Sequence, residues 1–564
     1  MAPLPGLVTG RLDVGDTTVR WAVAPGAPVS THEQPEGCAL LLGDAIQRRA
    51  AARLSAASLF DAWTDGSTCP DACDGFYAGV AVRSGAITIG GDILGLFPLY
   101  YAAFGDVLLA GSSSAPFKAH PLFDDTLDVH AMFGHLLSSG PFDGRTLRRG
   151  VSRLSVGRLL RWSGRGPVRE ETQYEMPVVH QFTGASFEDE LERFDVALDA
   201  AVRRHCGVHP DITVMLSGGR DSRLLSGYLA RQGRSARTVA FGRASDSDAQ
   251  CAAAVARALH FPHRCHEVPF DAFPDYTDRN VHWEQLAGGM SSVHSWGCAD
   301  ALRNATGGLL SGYTFDARHQ PLVPITREGM LGWTHGKGIA PARLRALVNE
   351  PHRACVDEVA EAVRQRFDEF SVVDRAEEVD GERSWRWFMA VYTRFHAGAI
   401  PWRLSFGAWP ILPLLDQELI ATMLTMPHSF LADRRMEDAL LRKRFPALAR
   451  LPLDRNAPDT SPLVSTLRHR ISASWRARMH RDTDVEQRYY VRMYDFDNEG
   501  WRAVRWAAET GRDAMAQWFE PAALRSILPA PDASTAHADP ITSGFAPKML
   551  TGIMRACATG EMPS

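Results

Sequence analysis

Nine residues constrain this chain more than any other stretch: Met215-Leu216-Ser217-Gly218-Gly219-Arg220-Asp221-Ser222-Arg223. They join the buried-strand run Ile212–Leu216 to a helical pattern from Arg223 to Gln232, so a strand passes into a helix through two glycines. A second strand, Thr238–Phe241, leads to a helix over Ser247–Leu259. Such alternation predicts an open parallel sheet. A helix N-terminus after a strand presents backbone N–H groups and the positive end of the helix dipole, which together make an anion site. Gly218 and Gly219 permit close approach of a phosphate, Ser217 and Ser222 add hydroxyl donors, and Asp221 offers a hard oxygen ligand for Mg²⁺. No Gly-Lys-Ser/Thr follows, so the loop is not of the Walker type. A lone double glycine would fit an ordinary strand–turn–helix junction equally well; Ser-Gly-Gly-x-Asp-Ser is far more specific.

The rest of the chain frames this junction. Its 564 residues exceed one ordinary core and predict two to four domains. Hydrophobic residues at 45% and charged residues at 23% exclude wholesale disorder. Sixty-one basic against 66 acidic residues leave a net charge of −5, which does not invite nucleic acid. No apolar run approaches a membrane span, and Met1–Gly6 lacks the pattern of a secretory signal, so a cytoplasmic protein is expected. The nine cysteines read as reduced thiols; Cys69 and Cys73 lack the second pair that a zinc site needs.

The first ~180 residues read as β-rich, with strands at Thr18–Val23, Phe76–Val82 and Val107–Ala110. A helix is predicted over Leu40–Trp63, and a strand pair at Val151–Leu154 and Arg158–Trp162 with its turn at Gly157. An amphipathic helix is expected over Phe187–Cys206, and beyond ~340 the chain reads as mostly helical. Pro529–Pro540 reads as a loop before a terminal helix.

The Ser217–Ser222 loop resembles that of the pyrophosphatase-loop enzymes, and within them the asparagine synthetase family. Ser245-Asp246-Ser247-Asp248, with His263 beyond it, resembles the family segment after the second strand. Ser311-Gly312-Tyr313-Thr314-Phe315-Asp316 resembles its second nucleotide-facing loop, and Leu412-Pro413-Leu414-Leu415-Asp416 its Pro-x-Leu-Asp helix start, where Asp416 reads mainly as an N-cap. Asp74-Gly75-Phe76, Gly91–Tyr101, Ser112-Ser113, Thr146-Leu147, Gly150 and Gly157 follow the order of class II glutamine amidotransferase domains.

The resemblance implies an α/β multi-domain chain. Residues 1–180 would form an amidotransferase-like αββα sandwich of the N-terminal-nucleophile type. Residues 181–564 would form an open parallel sheet of the adenine nucleotide α-hydrolase type with a helical C-terminal extension. It also implies ATP and Mg²⁺, with ATP bound by Leu216, Ser217, Gly218, Gly219, Asp221, Ser222, Phe241, Gly242, Gly312 and Tyr313. Asp221 and Asp316 would hold the metal.

Two departures sharpen the reading. Class II glutaminases use a cysteine at position 2, where this sequence has Ala2, so ammonia released in cis is not expected. Family members also carry a glutamate shortly before Pro-x-Leu-Asp, whereas Ser405–Ile411 holds no acid. Relatives also carry a lysine on a later loop; in the matching stretch Leu453–Asp459 the nearest cation is Arg455, which reads equally as a transition-state cation or a surface ion pair. Arg394 and Arg403 are the further catalytic candidates, against a plain amphipathic helix with snorkelling arginines. The departures favour a resemblance to the macrolactam cyclases of lasso peptides. Expected partners are a precursor peptide, a leader peptidase and a leader-recognition protein, with no nucleic acid and no membrane. A β-lactam or other small-molecule amide synthetase, an asparagine synthetase-like enzyme using an external amine, and a non-catalytic scaffold stay open.

Overall fold

The computed structural model describes residues 4, 6–65, 72–138, 140–178, 182–290, 292–313, 329, 331–332, 338–370, 383, 385–454, 460–464, 489–535 and 545–563; at 392, 396–397, 489–491 and 545 it describes the backbone alone. The first half is built on antiparallel strands β1 (Val8–Val14), β2 (Thr17–Val23), β3 (Val29–Gln34), β4 (Gly37–Gly43), β5 (Ile46–Gln47), β6 (Ala52–Arg53), β7 (Tyr77–Arg83), β8 (Ala86–Gly91), β9 (Tyr100–Phe104), β10 (Val107–Gly111), β11 (Ser152–Arg153), β12 (Arg158–Trp162) and β13 (Arg169–Thr172). Six of them form one sheet in the order β13-β12-β8-β7-β4-β3; β10-β9-β11 form a second, and β1 pairs with β2.

Strand β4 shows how the layers arise. Its side chains alternate, Ala39 and Leu41 facing helix α1 (Ala56–Thr64) with Leu59, Phe60 and Trp63. Cys38 and Leu40 face the other way, into a core shared with Leu12, Trp21 and Tyr101 of the hairpin and second sheet. Because both faces are buried, Leu40-Leu41-Leu42 carries no period-2 signal. The helix expected from Leu40 to Trp63 is therefore corrected. Leu40–Gly43 is a central strand, Gly43 turns the chain at φ +92°, and the helix begins only at Ala56, where Ser55 Oγ accepts from Ser58 N–H. Helix α2 (Val129–Ser138) packs on the helix Arg353–Asp368. The expected pair around Gly157 is also divided: β11 pairs with β9, and β12 pairs with β8 and β13. Gly157, at φ +64°, carries the chain from one sheet to the other.

The second half opens with helix α3 (Phe187–Gly207), capped by Ser186 and acidic in its first turn. A five-stranded parallel sheet follows, made of β14 (Ile212–Met215), β15 (Arg237–Phe241), β16 (His263–His266), β17 (Gly308–Leu310) and β18 (Pro410–Ile411) in the order β16-β15-β14-β17-β18. Helices α4 (Arg220–Arg231) and α5 (Ser247–Ala258) make its first crossovers. The chain runs outward from β14 to β16, then returns to its other flank with β17. That reversal is a topological switch point, and it opens a crevice at the carboxyl ends of β14 and β17. Past residue 341 every described element except β18 is helical.

The halves share one continuous core. Trp409, fully buried, donates its indole N–H to Phe76 O at 3.2 Å, and Gly75 N–H donates to Leu415 O at 3.0 Å. Arg204 ties Asp416 (2.8 Å) and Asp74 (3.8 Å) together across the seam. Asp74, His205 and Asp416 bring possible metal-ligand atoms within 4.8 Å, but the Arg204 cation already occupies that group. No helix among the described residues is long and apolar enough to cross a membrane.

Candidate active site

The Ser217–Ser222 loop sits at the switch point. β14 delivers Leu216, whose N–H is held by Val239 O at 2.8 Å, and the chain then turns into α4 with Gly219 as N-cap. The two loop serines brace one another: their hydroxyls are 3.0 Å apart, Ser217 N–H donates to Ser222 Oγ at 3.0 Å, and Gly219 N–H donates to Ser217 Oγ at 3.2 Å. They therefore shape the loop as well as offering hydroxyls.

The two glycines do different things. A Cβ on Gly218 would lie 2.7 Å from Asp454 Cβ and 2.9 Å from Asp248 Cα, so Gly218 is required by packing against the protein. A Cβ on Gly219 would meet only Ser217 Oγ at 3.3 Å. The side of the loop open to a phosphate is thus that of Gly219 and the first turn of α4. Its N–H groups and hydroxyls, with the Asp221 carboxylate on the same turn, fit a polyphosphate and its divalent cation.

Gly312 brings in the second loop. A Cβ there would stand 2.8 Å from Asp221 Cβ, so the segment after β17 lies directly against the first turn of α4. Tyr313 follows, its N–H donating to Ser311 Oγ at 3.2 Å. Burial pushes its phenol well above the ordinary range, with Cys298 and Tyr494 adding to the effect. Phe241 is buried, and Gly242 turns at φ +124° with its N–H held by His266 O at 2.8 Å. Leu216 and Phe241 are thus buried at the carboxyl ends of β14 and β15, with Gly242 turning the chain just beyond. Asp316 and Arg455 lie outside the described residues.

Arg403 and Arg394 occupy other surroundings. Arg403 is fully buried. It pairs with Glu284 through Nε and through Nη2 (2.8 Å), donates to Ser292 O, Ser292 Oγ, Ser295 Oγ and Asn280 Oδ1 between 2.8 and 3.1 Å, and donates to Gly288 O at 3.4 Å. Arg394 donates to Gly95 O and Leu154 O of the first half, and lies over the Phe395 ring at 4.8 Å. Burial and the neighbouring Arg153 push its pKa well down. Both arginines hold structure together in the described geometry, and none of these partners belongs to the Ser217–Ser222 loop. His263 is tied into the sheet, with Nδ1 2.9 Å from Thr238 Oγ1. Asp416 is the N-cap expected of it, accepting from Glu418 and Leu419 N–H.

Several pairings at the site carry no signal in the sequence, even where one partner lies inside a motif. Arg223, fully buried, donates to Leu448 O at 3.0 Å, Leu451 O at 3.2 Å and Pro452 O, and to Gly218 O at 3.4 Å. Asp454 N–H donates to the same Gly218 carbonyl at 3.0 Å, so the turn at 448–454 is pinned beneath the loop. Burial lowers the Arg223 pKa to about 10, still a cation at neutral pH. Arg220 pairs with Asp438 at 2.5 Å, and Arg434 pairs with Asp221 at 2.5 Å. Both partners come from the segment 433–438, which in sequence is an ordinary charged helix start. Asp246, in the segment after β15, accepts from Arg243 N–H (2.7 Å) and Arg492 (2.5 Å) and thereby fixes the start of α5.

No curated protein matches this chain. The family model described as asparagine synthase matches residues 193–543, more than half of the sequence, including the loop, the parallel sheet and the Pro-x-Leu-Asp turn. The chain therefore belongs to the asparagine synthase family, whose members form carbon–nitrogen bonds with ATP, typically with Mg²⁺, and release AMP and pyrophosphate.

Proposed function

We propose that this protein is a macrolactam synthetase acting on a leaderless precursor peptide, as in lasso peptide biosynthesis. The side-chain carboxylate of a peptide Asp or Glu attacks the α-phosphate of ATP, pyrophosphate leaves, and the peptide's own N-terminal amine displaces AMP to close an isopeptide ring. Ser217, Gly219, Ser222 and the first turn of α4 bind phosphates. Asp221, with Asp316, holds Mg²⁺, and Leu216, Phe241 and Gly242 flank the adenine. The observation that supports the activation step is the juxtaposition of Gly312 with Asp221, which brings two loops of the family pattern together.

The acceptor argument rests on the segment before Pro-x-Leu-Asp. Ser405–Ile411 holds no acid, and within it Trp409 turns its indole into the seam against Phe76 and Phe97. A substrate that brings its own oriented amine depends less on an enzymic base, because orientation alone is worth several kcal/mol of barrier. Residues 1–180 are read as an amidotransferase-like platform whose two sheets brace the synthetase half.

The test is direct. Purified protein, ATP, Mg²⁺ and a leaderless linear peptide should yield a product lighter by one water, with an isopeptide bond located by fragmentation. Asp221→Ala should abolish it. Amide formation on a small amino acid, with no turnover of any peptide, would overturn the peptide reading in favour of a metabolite synthetase.

A further inference from the structure

Nη1 of Arg434 donates to Asp221 Oδ1 at 2.5 Å and to Glu437 Oε2 at 3.0 Å, so one corner of a guanidinium bridges two carboxylates. The two acids are not equivalent. The Glu437 side chain is fully buried, whereas those of Asp221 and Arg434 are 23% and 26% exposed. Arg434 is therefore anchored on its buried side and reaches Asp221 on its solvent side.

Burial pushes the Glu437 carboxyl up, and the charge of Arg434 is the largest influence drawing it back. The backbone at this point is unusual: Asp433 (φ +53°) and Arg434 (φ +60°) are consecutive non-glycine residues in the left-handed region, just before the helix Arg435–Arg444. Each such residue costs on the order of 1 kcal/mol, and the cost is characteristically borne at switch and ligand-clamp positions. The neighbouring Arg220 is paired with Asp438, which leaves Arg434 as the described arginine on Asp221.

A guanidinium and a divalent cation repel, and they compete for one small carboxylate. Arg434 is also of the right kind for phosphate, since its planar donors match phosphate oxygens. We propose that Arg434 is a displaceable latch: it holds the Asp221 carboxylate until a divalent cation takes it, then pivots on Glu437 towards the nucleotide phosphates. Because the Glu437 contact persists through the movement, no buried carboxylate is left unpaired. This rests on the reading of Asp221 as a metal ligand.

The experiment separates the two ideas. Mn²⁺ alone is titrated into the full-length protein, free ion being followed by electron paramagnetic resonance. Binding of a non-hydrolysable ATP analogue with Mn²⁺ is then measured by calorimetry. Arg434→Gln should bind Mn²⁺ alone at least about fivefold more tightly than the parent, because its competitor is gone. It should bind the analogue about tenfold more weakly, through loss of a charge-assisted contact. Arg434→Lys, which keeps the charge, should fall between the two, and circular dichroism melting should show all variants folded. Unchanged or weaker Mn²⁺ binding by Arg434→Gln would overturn the latch, and unchanged analogue binding would overturn the pivot. Undiminished Mn²⁺ binding by Asp221→Asn would instead defeat the assignment of the metal ligand.

Discussion

Two arginine–carboxylate pairs, Arg403–Glu284 and Arg434–Asp221, look alike in a list of contacts and differ in almost every physical respect. Arg403 has no exposure, and each guanidinium nitrogen meets a carboxylate, carbonyl, hydroxyl or amide oxygen. Glu284 is equally enclosed; burial pushes its pKa up and the Arg403 charge pulls it down. Arg434 and Asp221 face solvent at their edges, and Arg434 sits on strained backbone and keeps one contact on the buried Glu437. The first arrangement has no alternative partner to adopt. The second does, at the first turn of α4, where phosphate binding is proposed. Arginines in a cleft-forming region are thus told apart by saturation and exposure, not by their presence.

Breaking the saturated pair should have the largest effect. Arg403→Met leaves Glu284 buried without its counter-charge and should destabilise the fold by about 3–5 kcal/mol in equilibrium urea unfolding. Asp221→Asn should do the reverse. Its partly exposed ion pair is worth no more than about 1 kcal/mol, while pyrophosphate exchange should fall by about 100-fold or more.

The seam offers a pH test of the same contrast. Burial and the neighbouring Asp416 raise Asp74 to about 6, above its ordinary 3.8. The native state then binds more protons than the unfolded chain between about pH 4 and 6, so stability falls as pH rises through that window. The loss is on the order of 2 kcal/mol, and Asp74→Asn should flatten the slope in urea titrations at pH 4, 5 and 6.5. A further contrast concerns packing of the loops. Gly312→Ala, pressing on Asp221, should cost about 1–3 kcal/mol, whereas Gly219→Ala should leave stability within about 0.5–1 kcal/mol and impair nucleotide binding instead.

These contrasts show what the sequence could reveal. The strand–turn–helix at 212–231 was legible because alternating secondary structure, two glycines and hydroxyl-bearing residues converge on one reading, and the helix over Phe187–Cys206 because its apolar stripe is periodic. Strand β4 was not legible, because burial on both faces erases the alternation that marks a strand. The roles of Arg394 and Arg403 were equally hidden, since saturation depends on partners such as Glu284 and Gly95 that lie more than a hundred residues away in sequence. Arg223 and Arg434 lacked any signal for the same reason. One lies inside the recognised motif and reaches back to the 448–452 turn; the other approaches from a helix start more than two hundred residues downstream.

The central claim is that the Ser217–Ser222 loop activates a peptide carboxylate with ATP. It is tested most directly by isotope exchange between labelled pyrophosphate and ATP, using the full-length protein and Mg²⁺. Exchange should require a leaderless linear peptide with an intact acceptor Asp or Glu, and should vanish both in Asp221→Ala and when that acceptor is replaced by its amide. Exchange that proceeds equally without peptide, or that survives Asp221→Ala, would contradict the account.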